Sequence, residues 1–575
     1  MDEEKGNTAP SYLAGADTSV SDPNRGYVGR IADSFKPNAS WHAIGASHAP
    51  GKKFDSELAA VEIAKSALVR RLKNRHLQMI AIGGSIGTGL FVSSGLALST
   101  GGPGALLLAF GLIGIMLFCT VHALGELAVV YPMSGSFAAY STRFLDPAWG
   151  ASMAINYAMQ WLVVLPLEIV AASITLQYWN SSVDPAVFVA VFLVVIISIN
   201  LFGVRGYGEA EFVFSIIKIT AVVGFIIFAI VVDVGGGPKS NGYLGGRYYK
   251  DPGAFAAGFK GLCSNFVTAA FSFAGTELVG LAAAESQNPR QTVPRAIKQV
   301  FWRIALFYLI ALALVGLLVP YTDPALLNGS SSVDAKASPF VIAIVNAGVP
   351  VLPSIFNAVI LIAVLSVGNA SIYASSRTLC SLGEQGQIPR IFAYIDRSGR
   401  PLFSIVFASS LGFLAFLVDS NVEGTVFSWM LALSGLSSIF TWGSICLCHI
   451  RFRHAWKYHG HTLDELAFKS AVGIWGSWVG FIFNCLVLIA QFWTALFPIG
   501  GKPDANAFFQ VYLAAPIVIV VYIGYKIFYL TPFMRCSKID LDTGRRDIDI
   551  AHVIAQEKMD SRNEAWWKRA WTYLC

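Results

Sequence analysis

Charge is what this 575-residue chain has least of. Asp, Glu, Lys and Arg together make up 13% of it, about half the share usual in soluble domains. So thin a polar coat cannot surround a chain of this size in water, which excludes a soluble globular protein. Cysteine is sparse too, with eight residues: Cys119, Cys263, Cys380, Cys446, Cys448, Cys485, Cys536 and Cys575. None falls in a loop expected outside the membrane, so no disulfide framework is indicated. The Cys-Leu-Cys-His run at 446–449 reads as a helix end carrying apolar cysteines rather than a metal site. The first 75 residues lack the apolar stretch of a secretory signal and predict a mostly disordered polar tail. No pore-lining ring of charge or filter pattern marks a channel. No constellation marks an enzyme, and no cofactor or nucleic acid is called for.

What the chain does have is apolar length. It is 55% hydrophobic, with mean hydropathy +0.59, and runs near 20 residues recur as a hydrocarbon core of about 30 Å demands. The reading is an all-α polytopic membrane protein with twelve spans, near 77–99, 104–131, 150–179, 186–204, 210–233, 259–284, 301–320, 352–381, 402–419, 424–449, 474–498 and 508–530. It divides the chain into an N-terminal tail (1–75), a membrane domain (76–530) and a C-terminal tail (531–575). Lys and Arg set the orientation. One set of short loops is rich in them, Arg143, Arg205, Arg303, Arg390, Arg400 and Arg453 included. The alternate set holds Lys239, Arg247, Lys250, Lys336 and Lys502. Both tails lie on the rich side and are expected in the cytosol. The sequon at Asn328 then falls outside, where it can accept glycan.

The first span is interrupted. "AIGGSIGTGLF", residues 81–91, places Gly84, Gly87 and Gly89 beside Ser85 and Thr88, although glycine costs a helix about 1 kcal/mol relative to alanine. Span six holds "FSFAGTELVG", residues 271–280, whose Ala-Gly-Thr-Glu-Leu resembles the Ile-Gly-Thr-Gly-Leu of span one. Close helix packing explains one such cluster. A matched pair points instead to an inverted repeat, spans one to five against six to ten, with discontinuous helices one and six. A phosphate loop needs a preceding strand and usually a lysine, and neither is present. Broken helices free backbone groups, which membranes tolerate only where those groups line a cavity or bind something. The resumed half-helix offers N–H groups and a positive dipole to a carboxylate. The end of the first half offers carbonyls to an ammonium. Two facing breaks therefore make a receptor for a zwitterion. The candidate site is Ser85, Ile86, Gly87, Thr88 and Gly89 with Phe271, Ser272, Phe273, Ala274 and Gly275.

Of the charges that fall inside spans, Lys218, Glu168 and Glu277 are singled out. An intramembrane lysine costs about 3 kcal/mol to insert and is a functional-site hypothesis by default. These three are the candidates for proton coupling. A proton moving inward gains about 2.3 kcal/mol per 100 mV and roughly 1.4 kcal/mol per pH unit. Sodium is the rival ion, and residue chemistry alone leaves it open. Glu126, near the end of span two, reads as a solvated or gating contact.

Together, "LKNRHLQMIAIGGSIGTGLF", "QWLVVLPLEIVAASIT", "GVRGYGEAEFVFSIIKI", "FSFAGTELVG" and "LALSGLSSIFTWGSICLCHIRFR" resemble the fungal amino-acid permeases of the amino acid–polyamine–organocation superfamily. The similarity runs from about residue 70 to the end. The "IDLDTGRRDIDI" tail resembles the broad-range branch of that family. The resemblance implies a five-plus-five inverted-repeat fold, plasma-membrane location and proton symport of L-amino acids. It implies that the N–H groups of Thr88 and Gly89 bind the substrate carboxylate and the carbonyls of Ile86, Phe271 and Ala274 face its amine. Phe271 would gate the site, and Lys218 would stand where sodium-coupled relatives hold their ion, which tilts the choice of ion toward H⁺. It also implies regulatory tails. Lys5, Lys36, Lys52, Lys53 and Lys65 would take ubiquitin for endocytosis, and Cys575 in "WTYLC" would be palmitoylated, although Tyr573 and Leu574 replace the usual aromatic pair. Expected partners are L-amino acids, protons, membrane lipids and the ubiquitin-ligase machinery. The alternatives are a narrower-specificity permease and an amino-acid sensor.

Overall fold

Aspartate followed by proline starts two of the apolar helices. The carboxylates of Asp146 and Asp184 accept the N–H of Ala148 and Ala186, each at 2.8 Å. Pro147 and Pro185 occupy the first helical position, where the missing N–H costs nothing. The computed structural model describes residues 29, 33–38, 54–84, 86–179, 182–239, 242–327, 338–419 and 423–545. Among them only isolated β-bridges interrupt an all-helical fold. Ser85, Asn328, Cys575, Lys5, Lys52 and Lys53 lie outside these residues.

In chain order, α1 is Ser56–Ala64 and α2 is Asn74–Gly83, and a π-helical stretch, Gly89–Ser93, leads into α3, Ser94–Val130. Within α3, Gly102 (φ 82°) and Pro103 interrupt the helical backbone. There follow α4 (Phe137–Phe144), α5 (Pro147–Leu176), α6 (Pro185–Leu201), α7 (Gly203–Asp233), α8 (Gly258–Phe273) and α9 (Leu278–Ala283). Then α10 (Pro289–Trp302) runs through a π-helical stretch, Arg303–Ile310, into α11 (Ala311–Leu318). The series ends with α12 (Leu352–Glu384), α13 (Leu402–Leu411), α14 (Glu423–Tyr458), α15 (Gly473–Leu496), α16 (Ala505–Tyr512) and α17 (Ala514–Tyr529). Among the described residues, eight helical stretches are long and apolar enough to cross a membrane, and the bent pair α16–α17, taken as one span, makes a ninth. Pro185–Leu201 and Leu402–Leu417 are shorter apolar helices.

Solvent preference is inverted around the waist of the bundle. Val194, Ile216, Ile227, Ile489 and Val520 face outward, while Glu168, Glu211, Lys218, Glu277 and Arg303 are buried. Apolar residues outside and paired charges inside suit a lipid solvent. The interior is closed by α12 against α5 and by α3 against α8. Polar ties fix α5 on α14: Asn156 Nδ2 donates to the Ser437 carbonyl at 3.0 Å, and Gln160 Nε2 to Ser438 Oγ at 2.9 Å.

Three expectations change. The seventh helix starts at Pro289 rather than near 301, so Arg303 is no loop residue. It lies inside the Pro289–Leu318 stretch and is fully buried. Glu126 is not solvated. It is buried between His449 Nε2 at 3.1 Å and Arg453, with the Ser470 N–H donating at 2.7 Å. Segment 531–545, read as tail, packs on the bundle. Ile539 and Leu541 are buried, the Met534 N–H donates to the Leu145 carbonyl at 2.9 Å, and the Tyr131 hydroxyl to the Leu541 carbonyl at 2.8 Å. Polar ties add to these, with Thr531 Oγ1 donating to Asp146 at 2.9 Å and the Arg451 guanidinium 5.2 Å from the Phe533 ring.

Candidate functional site

The interruption between α2 and α3 and the one between α8 and α9 meet in the interior. At Ala274 the backbone leaves the helix (φ −55°, ψ 143°) and Gly275 follows at φ 96°, a conformation open to glycine and strained for other residues. On the first break, a Cβ added to Gly89 would lie 2.4 Å from the Ser272 Cα. The two interrupted helices thus touch backbone to backbone, and only glycine at 89 permits it. The resumed helix begins at Thr88–Gly89, and the first N–H groups of any helix lack an intrahelical acceptor.

Within the second break the roles separate. Ser272 is used internally: its Oγ donates to the Thr268 carbonyl at 2.8 Å, and its carbonyl accepts the Tyr308 hydroxyl at 2.7 Å. The Phe273 ring packs 4.3 Å from Tyr308 and 5.8 Å from Phe110, so that side chain belongs to the core. Phe271 is buried beside Gly435 of α14. Its carbonyl, with that of Ala270, already accepts the Ala274 N–H. Glu277 braces the break. Both its oxygens take the Gly275 N–H, at 3.1 and 3.2 Å, and it also accepts the Tyr157 hydroxyl at 3.1 Å and the Trp442 indole N–H at 3.2 Å. These bonds tie the loop to α5 and α14.

The first break carries the other two charges. Lys218 on α7 donates to the Gly83 carbonyl at 2.6 Å and to Ser366 Oγ of α12 at 2.8 Å, and it lies 3.2 Å from Glu211. Ser366 Oγ in turn donates to the other Glu211 oxygen at 2.7 Å. One lysine therefore holds the end of α2 to both α7 and α12. Glu168 on α5 accepts the Thr88 hydroxyl, and its second oxygen has no hydrogen-bond partner among the described residues. Of the candidate residues described, Ile86, Gly87, Thr88, Gly89, Phe271, Ala274, Gly275, Lys218, Glu168 and Glu277 border the two breaks, while the Ser272 and Phe273 side chains are used in the helix and the core. Of the lysines read as ubiquitin acceptors, Lys36 and Lys65 are described and both are exposed. Lys36 is paired with Asp33 at 2.6 Å.

Sequence reasoning missed Glu211 and Arg303. Glu211 precedes Lys218 by seven residues, two helical turns on the same face, so the signal was present in "EAEFVFSIIKI". Arg303 sits in "VFWRIALF", apolar on both sides. Its assignment to a loop hid it. Among the described residues no group of His, Cys, Asp and Glu is placed to hold a metal.

Crossed by apolar helices and centred on two facing helix breaks with buried charges, the molecule is by class a multi-pass membrane protein built around an internal site. The amino acid permease family matches residues 76–538. The general amino-acid permease GAP1 of Saccharomyces cerevisiae is 56% identical over 534 residues, covering 91% of this chain and 88% of that protein. The general amino-acid permease GAP2 of Candida albicans is 56% identical over 527 residues, covering 91% and 89%. The S-adenosylmethionine permease GAP4 of Candida albicans is 49% identical over 545 residues, covering 94% and 88%. The chain belongs to the amino acid permease family, whose members are transporters and not enzymes.

Proposed function

We propose that this protein is a plasma-membrane symporter that imports L-amino acids together with protons and accepts a broad range of side chains. The observation that carries the reading is the contact between the two breaks, with Gly89 against Ser272. It supports a site that recognises the backbone of an amino acid: N–H groups of Thr88 and Gly89 for the carboxylate, carbonyls of Ile86, Phe271 and Ala274 for the amine. Recognition confined to backbone atoms leaves the side chain free, and the relatives named general amino-acid permeases support breadth. The relative named an S-adenosylmethionine permease favours a narrower range as the second reading.

Proton coupling draws support from a charge count. Around the breaks stand two buried cations, Lys218 and Arg303, and three buried carboxylates, Glu168, Glu211 and Glu277. Fully ionised, they sum to one negative charge, and a single proton neutralises the group. Glu277 has three donors and Glu211 has a lysine and two serines, whereas Glu168 has one hydroxyl and, among the described residues, an oxygen without a partner. We assign the coupling proton to Glu168, the link between protonation and closure to Lys218, and the setting of the second break to Glu277. Twelve spans follow if α3 divides at Gly102 and the two shorter apolar helices also cross. The five-plus-five repeat and the cytosolic placement of both tails complete the proposal, with Lys36 and Lys65 open to ubiquitin and Cys575 to a lipid.

The test is transport by the purified full-length chain in proteoliposomes under an acid-outside pH gradient without sodium. Accumulation of L-leucine above equilibrium is expected. Accumulation that requires a sodium gradient, or none under either, overturns the coupling.

A further inference from the structure

Arg303 is fully buried, and burying a guanidinium is costly unless it is held by good acceptors. Its Nη1 lies 2.5 Å from the Ala81 carbonyl, near the end of α2, and its Nη2 donates to Thr276 Oγ1, at the start of the second half of the broken sixth helix. Thr276 Oγ1 donates onward to the Phe273 carbonyl at 2.6 Å. A single side chain from the α10–α11 helix thus joins the segment before the first break to the segment after the second. Nε has no partner.

The same two segments are joined a second time, at the far end of α2. The Leu72 N–H donates to the Glu285 carbonyl at 3.0 Å and the Gln287 N–H to the Leu72 carbonyl at 3.1 Å, forming a bridge between Leu72 and Ser286. Helix α2 and helix α9 are therefore pinned at both ends. The Leu72 bridge fixes their outer ends, and Arg303 fixes the ends that face the site.

We propose that Arg303 is a positioning residue that holds the two helix breaks in register, so that the carbonyls of one and the N–H groups of the other meet the same substrate backbone. Charge suits the task. The end of α2 carries the negative pole of a helix, and Arg303 on the Ala81 carbonyl and Lys218 on the Gly83 carbonyl both meet it. The two cations differ in reach. Lys218 ties α2 to α7 and α12, whereas Arg303 ties it to the other half of the site. The planar fork of arginine serves two acceptors in fixed geometry, which a lysine cannot reproduce. Disturbing this register misplaces backbone groups and leaves the walls of the side-chain pocket alone. The resulting loss is the same for every substrate, whatever its side chain. This inference rests on the proposed binding of an amino-acid backbone between the breaks.

The test compares the full-length wild type with Thr276→Val, Arg303→Lys and the double variant in yeast lacking its own permeases. Surface amount is read by biotinylation, and KM and maximal rate are measured for glycine, L-leucine, L-arginine and L-glutamate. Each single variant is expected to raise KM about tenfold, the worth of one charge-assisted hydrogen bond, by a common factor for every substrate the wild type carries. The double variant is expected to fall short of the product of the two factors, because one bond is shared. A wild-type KM in Thr276→Val, or factors that differ between side chains, overturns the assignment. If Arg303→Lys does not reach the surface, Thr276→Val decides alone. A wild type that carries none of the four defeats the transport reading itself, a result distinct from failure of the latch.

Discussion

At the residue scale the account turns on a few atoms. Gly89→Ala puts a methyl 2.4 Å from backbone, and no rotamer relieves that contact. Uptake should fall to background with the protein still at the surface, measured by radiolabelled substrate against biotinylated protein. Glu168→Gln keeps the shape and the contact with Thr88 but removes the carboxylate that lacks a second partner among the described residues. Concentrative uptake should vanish while exchange of labelled for unlabelled substrate persists, and a wild-type accumulation ratio would remove Glu168 from the coupling. Lys218→Met deletes the cation shared by Gly83, Glu211 and Ser366. It should reach the surface without accumulating substrate, and retained proton-driven accumulation would take Lys218 out of the mechanism.

At the element scale, stability at one end of the bundle rests on buried pairs. Glu285, just past α9, takes the Tyr373 hydroxyl at 2.6 Å and lies 3.4 Å from Arg377, both on α12, while Tyr373 stacks 4.2 Å from Tyr207 of α7. Arg377→Met strands a buried carboxylate, a loss of about 3–5 kcal/mol. Tm of the detergent-solubilised protein should drop, and adding Glu285→Gln should restore part of it. A neutral effect of Arg377→Met would mean the pair is not holding α9 to α12. Elements also show what the sequence could reveal. The two breaks were legible because a second glycine cluster matched the first, where packing would explain one alone. The partner of Lys218 was legible at seven-residue spacing and was passed over. Arg303 was lost because α10 starts with an amphipathic turn at Pro289, before the apolar run begins. The docking of 531–545 depends on contacts with a surface formed by distant helices, and no local pattern encodes that.

For the whole molecule, the interior charges and the apolar waist describe one device: a lipid-embedded bundle whose polar groups converge on two interrupted helices. Family membership makes it a permease; the proton and the breadth of substrates are the proposal. The most direct test is uptake of all twenty radiolabelled amino acids by the full-length chain in permease-null yeast, with and without a protonophore and with and without sodium. The account predicts accumulation of several side-chain classes, abolished by protonophore and indifferent to sodium. Uptake that survives the protonophore but requires sodium, or that is confined to one side-chain class, would contradict it.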